Sequence, residues 1–346
     1  MLDAPNPTAD RSVVLADYTT IRLGGSATDL VWASTEAELV ECVTQADADR
    51  TPVLVLGGGS NLVVADAGFD GVVVRVAHTG IRFEPDGDRV VVRVEAGESW
   101  DDVVVASLAR GLAGIECLSG IPGLAGATPI QNVGAYGAEI SHVVTAVRAF
   151  DRVEKRELVL SPADCGFGYR TSALKHRDRY LVVGVDLVLT ESRMSAPVGY
   201  QQLADALGVE LGGRAPAVDV RAAVLVLRAA KGMLIDPADP ESVSAGSFFT
   251  NPVLAASAIP DGAPQWPAPD RLVKTSAAWL IEQAGFGRGF GHGRVGLSRK
   301  HTLALVNRGG ATTAELILFA AYIRDGVRER FGVDLEVEPA LIGVRL

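Results

Sequence analysis

The sequence has little cysteine and no excess of positive charge. Its 346 residues include three cysteines, which lie far apart and show no C-x-x-C spacing. Neither a disulfide framework nor a cysteine zinc site is therefore expected. Lysine plus arginine number 32 against 42 acidic residues, which gives a formal net charge of -10, and no basic block stands out. We therefore do not expect nucleic acid to be a partner.

Segments that would direct the chain to a membrane are also missing. No run of about 18 uninterrupted apolar residues occurs, so no membrane contact is expected. Residues 1–20 lack the basic start and the apolar run that are typical of a secretion signal. Together with the low cysteine content, these features predict a protein of the reducing cytoplasm.

Common catalytic motifs are absent as well. The segment LGGGSN is followed by Leu62, where a dinucleotide fingerprint needs its third glycine. G-K-[ST], H-E-x-x-H and G-x-S-x-G do not occur, which excludes P-loop NTPases and the common zinc proteases and α/β-hydrolases. The five histidines have no metal-ligand spacing, and their pattern favours surface or packing residues: His78, His142, His176, His292 and His301.

What the chain does have is apolar material, at 48% of its 346 residues. Since a domain has about 150 residues on average, this length predicts two or three compact units. Periodicity predicts helices over 34–46, 99–110 and 221–230 and from Thr312 onward. The predicted N-caps are Thr35, Ser99 and Thr312. Short apolar runs predict strands over 53–56, 72–74, 90–94, 180–190 and 335–346.

Two glycine-rich segments, at 56–61 and 119–137, are candidate ligand loops. In the first, three glycines followed by Ser60 and Asn61 can offer backbone N–H groups to a pyrophosphate, although a plain strand-ending turn fits the pattern equally well. The second has almost no charge, which suits close approach of its backbone to a flat, neutral ring system. Its polar and aromatic side chains are Thr128, Gln131, Asn132 and Tyr136.

Two further segments, at 167–175 and 244–252, carry isolated polar residues. Their patterns alone leave Arg170 open as a structural salt-bridge partner and favour a turn hydroxyl for Ser247.

Along nearly the whole chain, eight motifs then follow one another: TTIRLGG, LGGGSNLVVAD, GIPGLAGATPIQNVGAYG, CGFGYRTSALK, RAAKG, SAGSFFTNP, AAWLIEQAGFGRG and LEVEPALIG. In this order they resemble the UDP-N-acetylenolpyruvoylglucosamine reductase family, flavoenzymes that make UDP-N-acetylmuramate for bacterial peptidoglycan.

The resemblance implies an α+β fold. It consists of an FAD-binding domain of the vanillyl-alcohol-oxidase (PCMH) type in two subdomains, plus an α+β substrate-binding domain. We expect the first subdomain over 1–76, completed by a C-terminal strand over 333–346. The second subdomain is expected over 77–200 and the substrate-binding domain over 201–332. A monomer is expected rather than an oligomer.

The cofactor that the resemblance implies is FAD, with NADPH as the hydride donor using the substrate cavity in turn. Many related flavoproteins bind flavin covalently through a histidine beside the first glycine loop. That position reads Gly59-Ser60-Asn61 here, so non-covalent FAD is expected. The implied FAD-binding residues are Gly57, Gly58, Gly59, Ser60, Asn61, Pro122, Gly123, Gly126, Ala127, Gln131, Asn132, Gly134, Ala135 and Tyr136.

The implied reaction is the NADPH-dependent reduction of UDP-N-acetylglucosamine enolpyruvate to UDP-N-acetylmuramate. Arg170 would stabilise the negative charge that develops on the substrate. Ser247 would protonate the carbon that receives no hydride, and Glu338 would act beside it while protonated or sharing a proton through water. The implied substrate-binding residues are Tyr169, Tyr200, Lys231, Phe248, Asn251 and His301, with Lys231 and Tyr200 at the diphosphate.

Two details refine the resemblance. Tyr200 in APVGYQQL assigns the chain to the class of the family that has a Tyr-bearing loop. Pro339 departs from the usual pattern after Glu338, and the strand must accommodate it at an edge or a bulge. Two other functions remain open from the sequence: a flavin-dependent oxidase that uses molecular oxygen, and a flavin- or nucleotide-binding regulator without catalysis.

Overall fold

The computed structural model describes residues 13–175, 178–291 and 293–346. Predictions that concern residues 1–12, His176 and His292 lie outside this range. Along the described residues, short strands and helices alternate. The strands are β1 (Val13–Val14), β2 (Ser26–Ala33), β3 (Val53–Leu56), β4 (Leu62–Val64), β5 (Phe69–Val76), β6 (Ile81–Asp86), β7 (Arg89–Glu95), β8 (Leu112–Ala113), β9 (Gly134–Ala135), β10 (Ala138–Glu139), β11 (Val144–Asp151), β12 (Arg156–Leu160), β13 (Tyr180–Glu191), β14 (Ser244–Ser247), β15 (Val253–Leu254), β16 (Gln265–Pro267), β17 (Val273–Thr275), β18 (Val295–Leu297), β19 (Ala304–Asn307) and β20 (Ala340–Ile342). The α-helices are α1 (Glu36–Asp49), α2 (Trp100–Ala109), α3 (Pro162–Cys165), α4 (Gln201–Leu207), α5 (Ala217–Ala230), α6 (Ala277–Gln283) and α7 (Thr313–Phe331).

The described residues form two compact units, each built from separate stretches of chain. The first comprises Thr28–Gly58 and Gly71–Ala229, and the second comprises residues 13–27, Gly59–Asp70 and Ala230–Leu346. The finer division into 1–76, 77–200 and 201–332 stays a prediction.

An antiparallel sheet forms the centre of the first unit, in the order β12-β11-β13-β7-β6, with β8 also paired to β13. Strand β13 occupies the middle because its apolar run supplies buried residues to both faces. Its residue Val185 lies opposite Val94 of β7 and opposite Val147 of β11. These three valines are at most 1% exposed, so the apolar runs predicted as strands do bury in one core.

Helix α1 covers the parallel strand pair β3 and β5 in the first unit. Its predicted cap is confirmed, since the Oγ1 atom of Thr35 accepts a hydrogen bond from the Glu38 N–H at 3.1 Å. Leu39 and Val43 of this helix are completely buried and pack in one cluster with Val74. The strand prediction over 53–56 agrees with β3 residue for residue.

The second unit contains two three-stranded sheets, β14-β19-β18 and β15-β17-β16, and the parallel pair β20-β4. Helix α7 supplies much of its core through Leu316, Ala320 and Ile323, which are completely buried. This helix begins at its predicted cap. Thr312 Oγ1 accepts the Glu315 N–H at 3.1 Å, and the Glu315 carboxylate accepts the Thr312 N–H at 2.8 Å.

Two helix starts differ from the prediction. Helix α5 begins at Ala217 instead of near Arg221, because Pro216 immediately before it provides a backbone dihedral suited to a helix start. The Ser99 side chain makes no capping hydrogen bond to α2. The second glycine-rich loop takes over that task, since the Gly123 carbonyl accepts the Trp100 N–H at 3.1 Å.

The C-terminal strand is shorter than predicted. The segment 335–346 contains only β20 and an isolated bridge between Val337 and Phe249. Pro339 lies between the two, outside any strand, where its missing N–H removes no ladder hydrogen bond. The proline therefore explains why the strand is interrupted just after Glu338.

Candidate functional site

The two glycine-rich loops meet within the first unit. A Cβ atom added at Gly58 would lie 2.6 Å from the Cα of Gly123, closer than the 3.0 Å that real Cβ contacts respect. A Cβ at Gly126 would likewise lie 2.5 Å from the Cβ of Ala96. Glycine is therefore required at both positions. Of the residues predicted to hold FAD, the structure brings Gly58 and Gly123 into contact within the first unit.

The first loop is less tightly packed at Gly57 than at Gly58. A Cβ there would meet only the Leu124 side chain, at 3.8 Å. The Gly57 carbonyl accepts a hydrogen bond from the Arg75 guanidinium. In the second unit, the loop ends at Asn61, whose Nδ2 donates to the Glu338 carbonyl at 3.4 Å. The carbonyl group of Asn61 also accepts the N–H of the residue that opens β20, at 3.0 Å.

The second loop is held against the central sheet. Its 3₁₀ turn Ala125–Ala127 is anchored by the Gly126 N–H, which donates to the Ala96 carbonyl at 3.0 Å. Asn132 is 1% exposed, and its amide donates to Glu139 Oε2 at 2.8 Å and to the Gly168 carbonyl at 3.0 Å. The Asn132 side chain is thus fully engaged by the protein.

Arg170 lies directly on this second loop. Its Nη2 donates to the Gly134 carbonyl at 2.6 Å, and its Nη1 donates to the Asn132 carbonyl at 3.5 Å. The guanidinium also lies 5.5 Å from the centre of the Tyr169 ring. Arg170 has a φ of +52°, and the Lys175 ammonium donates to its carbonyl at 2.9 Å. A permanent positive charge is thus fixed at the loop predicted for flavin.

Tyr200 lies just before α4, with a side chain that is partly exposed. Its ring packs edge-on against the ring of Tyr136, with centroids 5.5 Å apart. Tyr136 belongs to the second loop, and burial raises the pKa of its hydroxyl to about 12. The structure therefore connects the predicted Tyr-bearing segment to the predicted flavin loop.

Two arginines of α5 that we did not predict also hold this loop. Arg228 is 7% exposed and donates through Nε to the Gly120 carbonyl at 3.2 Å. The Gly120 N–H donates to Asp101 at 2.6 Å, and Arg221 forms a two-point ion pair with the same carboxylate. Burial lowers the pKa of Arg228. A sequence signal existed, since Arg228 continues the buried helical stripe of Val220 and Val224.

In the second unit, Ser247 and Glu338 lie on hydrogen-bonded segments. Ser247 ends β14, and the Glu338 N–H donates to the carbonyl of the next residue, Phe248, at 2.9 Å. Phe248, which we predicted to bind the substrate, is 1% exposed, and its side chain packs in the core. Asn251 Oδ1 accepts the Ala277 N–H at the start of α6, at 2.9 Å.

Lys231 and His301 also lie in the second unit. His301 is half-buried, and burial together with the charges of Lys231 and Arg288 lowers its pKa to about 4. The imidazole is therefore neutral at pH 7 and lies in the field of the Lys231 ammonium. Among the predicted site residues, Arg170, Tyr169 and Tyr200 belong to the first unit, and Lys231, Ser247, Phe248, Asn251, His301 and Glu338 belong to the second.

Neither a metal centre nor a membrane-spanning helix was found where the chain is described. No three His, Cys, Asp or Glu residues in 13–175, 178–291 and 293–346 are grouped to hold a metal ion. Within the same ranges, no helix is both long and apolar enough to cross a bilayer.

Comparison with known proteins first defines the class. Residues 28–155 match the FAD binding domain family. The predicted α+β fold with an FAD-binding domain of the vanillyl-alcohol-oxidase type is thereby confirmed, and the chain is a flavoprotein. Residues 238–342 match the C-terminal domain of UDP-N-acetylenolpyruvoylglucosamine reductase.

Full-length relatives define the family. A UDP-N-acetylenolpyruvoylglucosamine reductase from Thermobifida fusca is 53% identical and covers 97% of this chain and 98% of its own. The protein of that name from Saccharopolyspora erythraea is 50% identical, with coverage of 99% and 98%. A crystal structure of the Thermus caldophilus reductase superposes with a TM-score of 0.67 at 27% identity, covering 97% of this chain and 100% of its own. The chain belongs to the UDP-N-acetylenolpyruvoylglucosamine reductase family.

Replacing Gly58 by alanine is expected to force the two loops apart and to reduce FAD retention. Overpacking of this kind costs about 1–3 kcal/mol, and here the obstacle is the Gly123 backbone. Gly57→Ala is the matched control, because its Cβ meets only Leu124 at 3.8 Å. Thermal unfolding of the FAD-free variants and the flavin content after purification measure both effects. Equal stability of the two FAD-free variants would contradict the proposed steric contact.

The low pKa of His301 predicts a pH dependence of stability. Between pH 6.5, the ordinary value, and about 4, the unfolded chain binds a proton that the folded chain does not. The stability that follows from this difference in proton binding is fully present above pH 6.5 and is lost as the pH falls towards 4. His301→Gln should therefore flatten the decline of the unfolding free energy over this window, as measured by urea titration. Lys231→Met should raise the His301 pKa, since one of the two cations is removed.

Proposed function

We propose that the chain reduces UDP-N-acetylglucosamine enolpyruvate to UDP-N-acetylmuramate, a precursor of peptidoglycan, with FAD as cofactor and NADPH as reductant. The observation that carries the proposal is the contact of Arg170 with the glycine loop, in a chain that aligns along its full length with reductases of that name. The hydrogen bond between the Glu338 and Phe248 segments adds to it, since it holds Glu338 next to the Ser247 strand.

The two loops fit FAD. The lack of side chains at Gly57, Gly58 and Gly59 suits the approach of a pyrophosphate to backbone N–H groups, and the small residues of the second loop suit a flat ring. Bound FAD would supply a hydride to the vinyl carbon of the substrate. We further propose that FAD is held without a covalent bond, because no histidine stands at Gly59-Ser60-Asn61.

Arg170 has the chemistry to stabilise the anion that forms when the vinyl group accepts a hydride. The negative charge then spreads into the substrate carboxylate, and a guanidinium can meet a carboxylate with two hydrogen bonds. Two loop carbonyls hold the Arg170 side chain, so little reorganisation is needed during the reaction.

Ser247 is proposed to protonate the carbon that receives no hydride, and water then returns a proton to its oxygen. Glu338 is held on the neighbouring segment. An ionised carboxylate would repel the anion, so we propose that Glu338 is protonated or shares a proton through water during this step.

Recognition of the nucleotide is proposed to centre on the diphosphate. Lys231 offers a compact ammonium, and the neutral His301 beside it can add a hydrogen bond without further positive charge. Because no second nucleotide fingerprint exists, NADPH and the substrate are proposed to use one cavity in turn, which gives ping-pong kinetics. The site also includes Tyr169 and Asn251 in this proposal.

The function is tested by the flavin spectrum of the purified protein. The proposal expects the absorption of oxidised FAD, bleaching on anaerobic addition of NADPH, and recovery when the enolpyruvyl substrate is added. Recovery by air alone at the same rate would favour an oxidase. A flavin that NADPH does not bleach would favour the non-catalytic regulator.

Tyr200 is proposed to bind the diphosphate, which would assign the chain to the class with the Tyr-bearing loop. Its ring contacts Tyr136 of the second glycine-rich loop, and the residue is 42% exposed. Tyr200→Phe keeps the ring contact and removes the hydroxyl. We expect the substrate KM to rise about two- to tenfold, as for one lost hydrogen bond, with kcat little changed. An unchanged KM in steady-state kinetics would remove the Tyr200 hydroxyl from the site.

Ser247→Ala should separate the two half-reactions. Flavin reduction by NADPH should stay near normal, whereas reoxidation by the substrate should slow by roughly 10² to 10⁴, the usual contribution of a general acid. Stopped-flow absorbance resolves both steps. Ser244→Ala is the matched control on the same strand, because the Ser244 hydroxyl only accepts the Gly246 N–H at 3.2 Å. Equal slowing of both half-reactions would assign Ser247 to ligand positioning instead.

A further inference from the structure

A short turn in the second unit lies between the segments that carry Lys231 and His301. It consists of Asp239 and the 3₁₀ helix Pro240–Ser242. Its central residue, Glu241, has a side chain that is only 13% exposed. The mechanism proposed above does not use this buried carboxylate, although both neighbouring segments bear residues of the site.

Towards His301, the Glu241 carboxylate makes two short hydrogen bonds. Its Oε2 accepts the Ser298 hydroxyl at 2.6 Å and the Arg299 N–H at 2.6 Å. Ser298 and His301 belong to one closed turn, since the Ser298 N–H donates to the Ala304 carbonyl at 2.8 Å and the Ala304 N–H donates to the His301 carbonyl at 3.1 Å. Charge-assisted bonds of this length fix the turn that bears His301.

A second link ties the same two turns together. The Lys300 ammonium lies 2.8 Å from Asp239 Oδ2, and Asp239 Oδ1 accepts the Glu241 N–H at 3.1 Å. Lys300 immediately precedes His301. Both links therefore hold the segment that bears His301 against the 239–242 turn.

Towards Lys231, the contact is steric. Gly232 follows Lys231 and has a φ of +65°, and a Cβ added to it would lie 2.9 Å from the Glu241 carbonyl oxygen. The chain after Lys231 thus packs directly against the Glu241 backbone. On its other side, the turn runs into β14, which ends at Ser247. Glu241 therefore contacts the segments that adjoin Lys231 and His301, and its turn leads into the strand that ends at Ser247.

We propose that Glu241 is a positioning residue, which sets the spacing between Lys231 and His301 and thereby the affinity for the diphosphate of a nucleotide. The inference rests on the proposed function, because the diphosphate contact of Lys231 is part of it. Two groups on separate chain segments bind one ligand tightly only if their spacing is fixed before the ligand arrives. The Glu241 carboxylate supplies that constraint.

The test uses Glu241→Gln in the full-length protein with FAD bound. A glutamine side chain keeps the shape but loses the charge and one acceptor oxygen. We expect the Kd for UDP, measured calorimetrically, to rise about tenfold, as for one weakened hydrogen bond to a charged group. In NMR titrations of the ligand-free protein, the His301 pKa should move up from about 4, because a loosened turn exposes the imidazole to solvent and relaxes its position relative to Lys231 and Arg288.

Glu315→Gln is the matched control. The Glu315 carboxylate also accepts a backbone N–H, at 2.8 Å, and a hydroxyl, at 3.3 Å, both from Thr312. It should change neither the UDP affinity nor the His301 pKa. Equal weakening by the two variants would overturn the inference, and so would an unchanged UDP affinity and His301 pKa in Glu241→Gln. If Glu241→Gln does not fold, Ser298→Ala removes one of the two short bonds and should shift both quantities in the same directions.

Failure of the proposed function gives a different result. A wild-type protein that does not bind UDP would overturn the proposed function, whereas the His301 titration would still decide whether Glu241 positions that residue. The two conclusions are therefore separable.

Discussion

The approach of two backbones at Gly58 and Gly123 is the constraint on which the candidate flavin site depends. A Cβ atom at Gly58 would clash with the Gly123 backbone, so glycine at this position is what permits the close approach. The second loop then provides the carbonyls that orient Arg170 and the ring that contacts Tyr200. The position of the Arg170 guanidinium therefore depends on the close approach of Gly58 and Gly123.

Helix α5 fixes this loop from the side. A single peptide group, that of Gly120, donates to Asp101 and accepts from Arg228, while Arg221 neutralises the Asp101 carboxylate. An anionic nucleotide must approach a chain of net charge -10. Local cations have to overcome that field. The Arg170 side chain is fixed by two loop carbonyls, and Lys231 precedes Gly232, which packs against the Glu241 backbone.

Much of this arrangement could be predicted from the sequence, because its signals are local. The pattern of Thr35 and Glu38 predicts the start of a helix, and the apolar run 53–56 predicts a strand; the structure has both. The motifs identified the family, and with it Arg170, Ser247 and Glu338 as candidates. The interactions of Asp101, Arg228 and Glu241 could not be predicted, since their partners lie on segments remote in sequence. Even Ser99, a good local cap, is overridden by the Gly123 carbonyl, which only the folded loop provides.

The pairing of β20 with β4 has a consequence for how the chain is assembled. Asn61, at the end of the first glycine loop, forms a hydrogen bond with Glu338, which lies 277 residues later in the sequence. During synthesis, strand β4, in the stretch Gly59–Asp70, must therefore remain without its parallel partner until β20 has left the ribosome. At about 5–20 residues per second, that delay is on the order of tens of seconds. Pairing of β4 with β20 is thus a late event, which follows the synthesis of both glycine-rich loops.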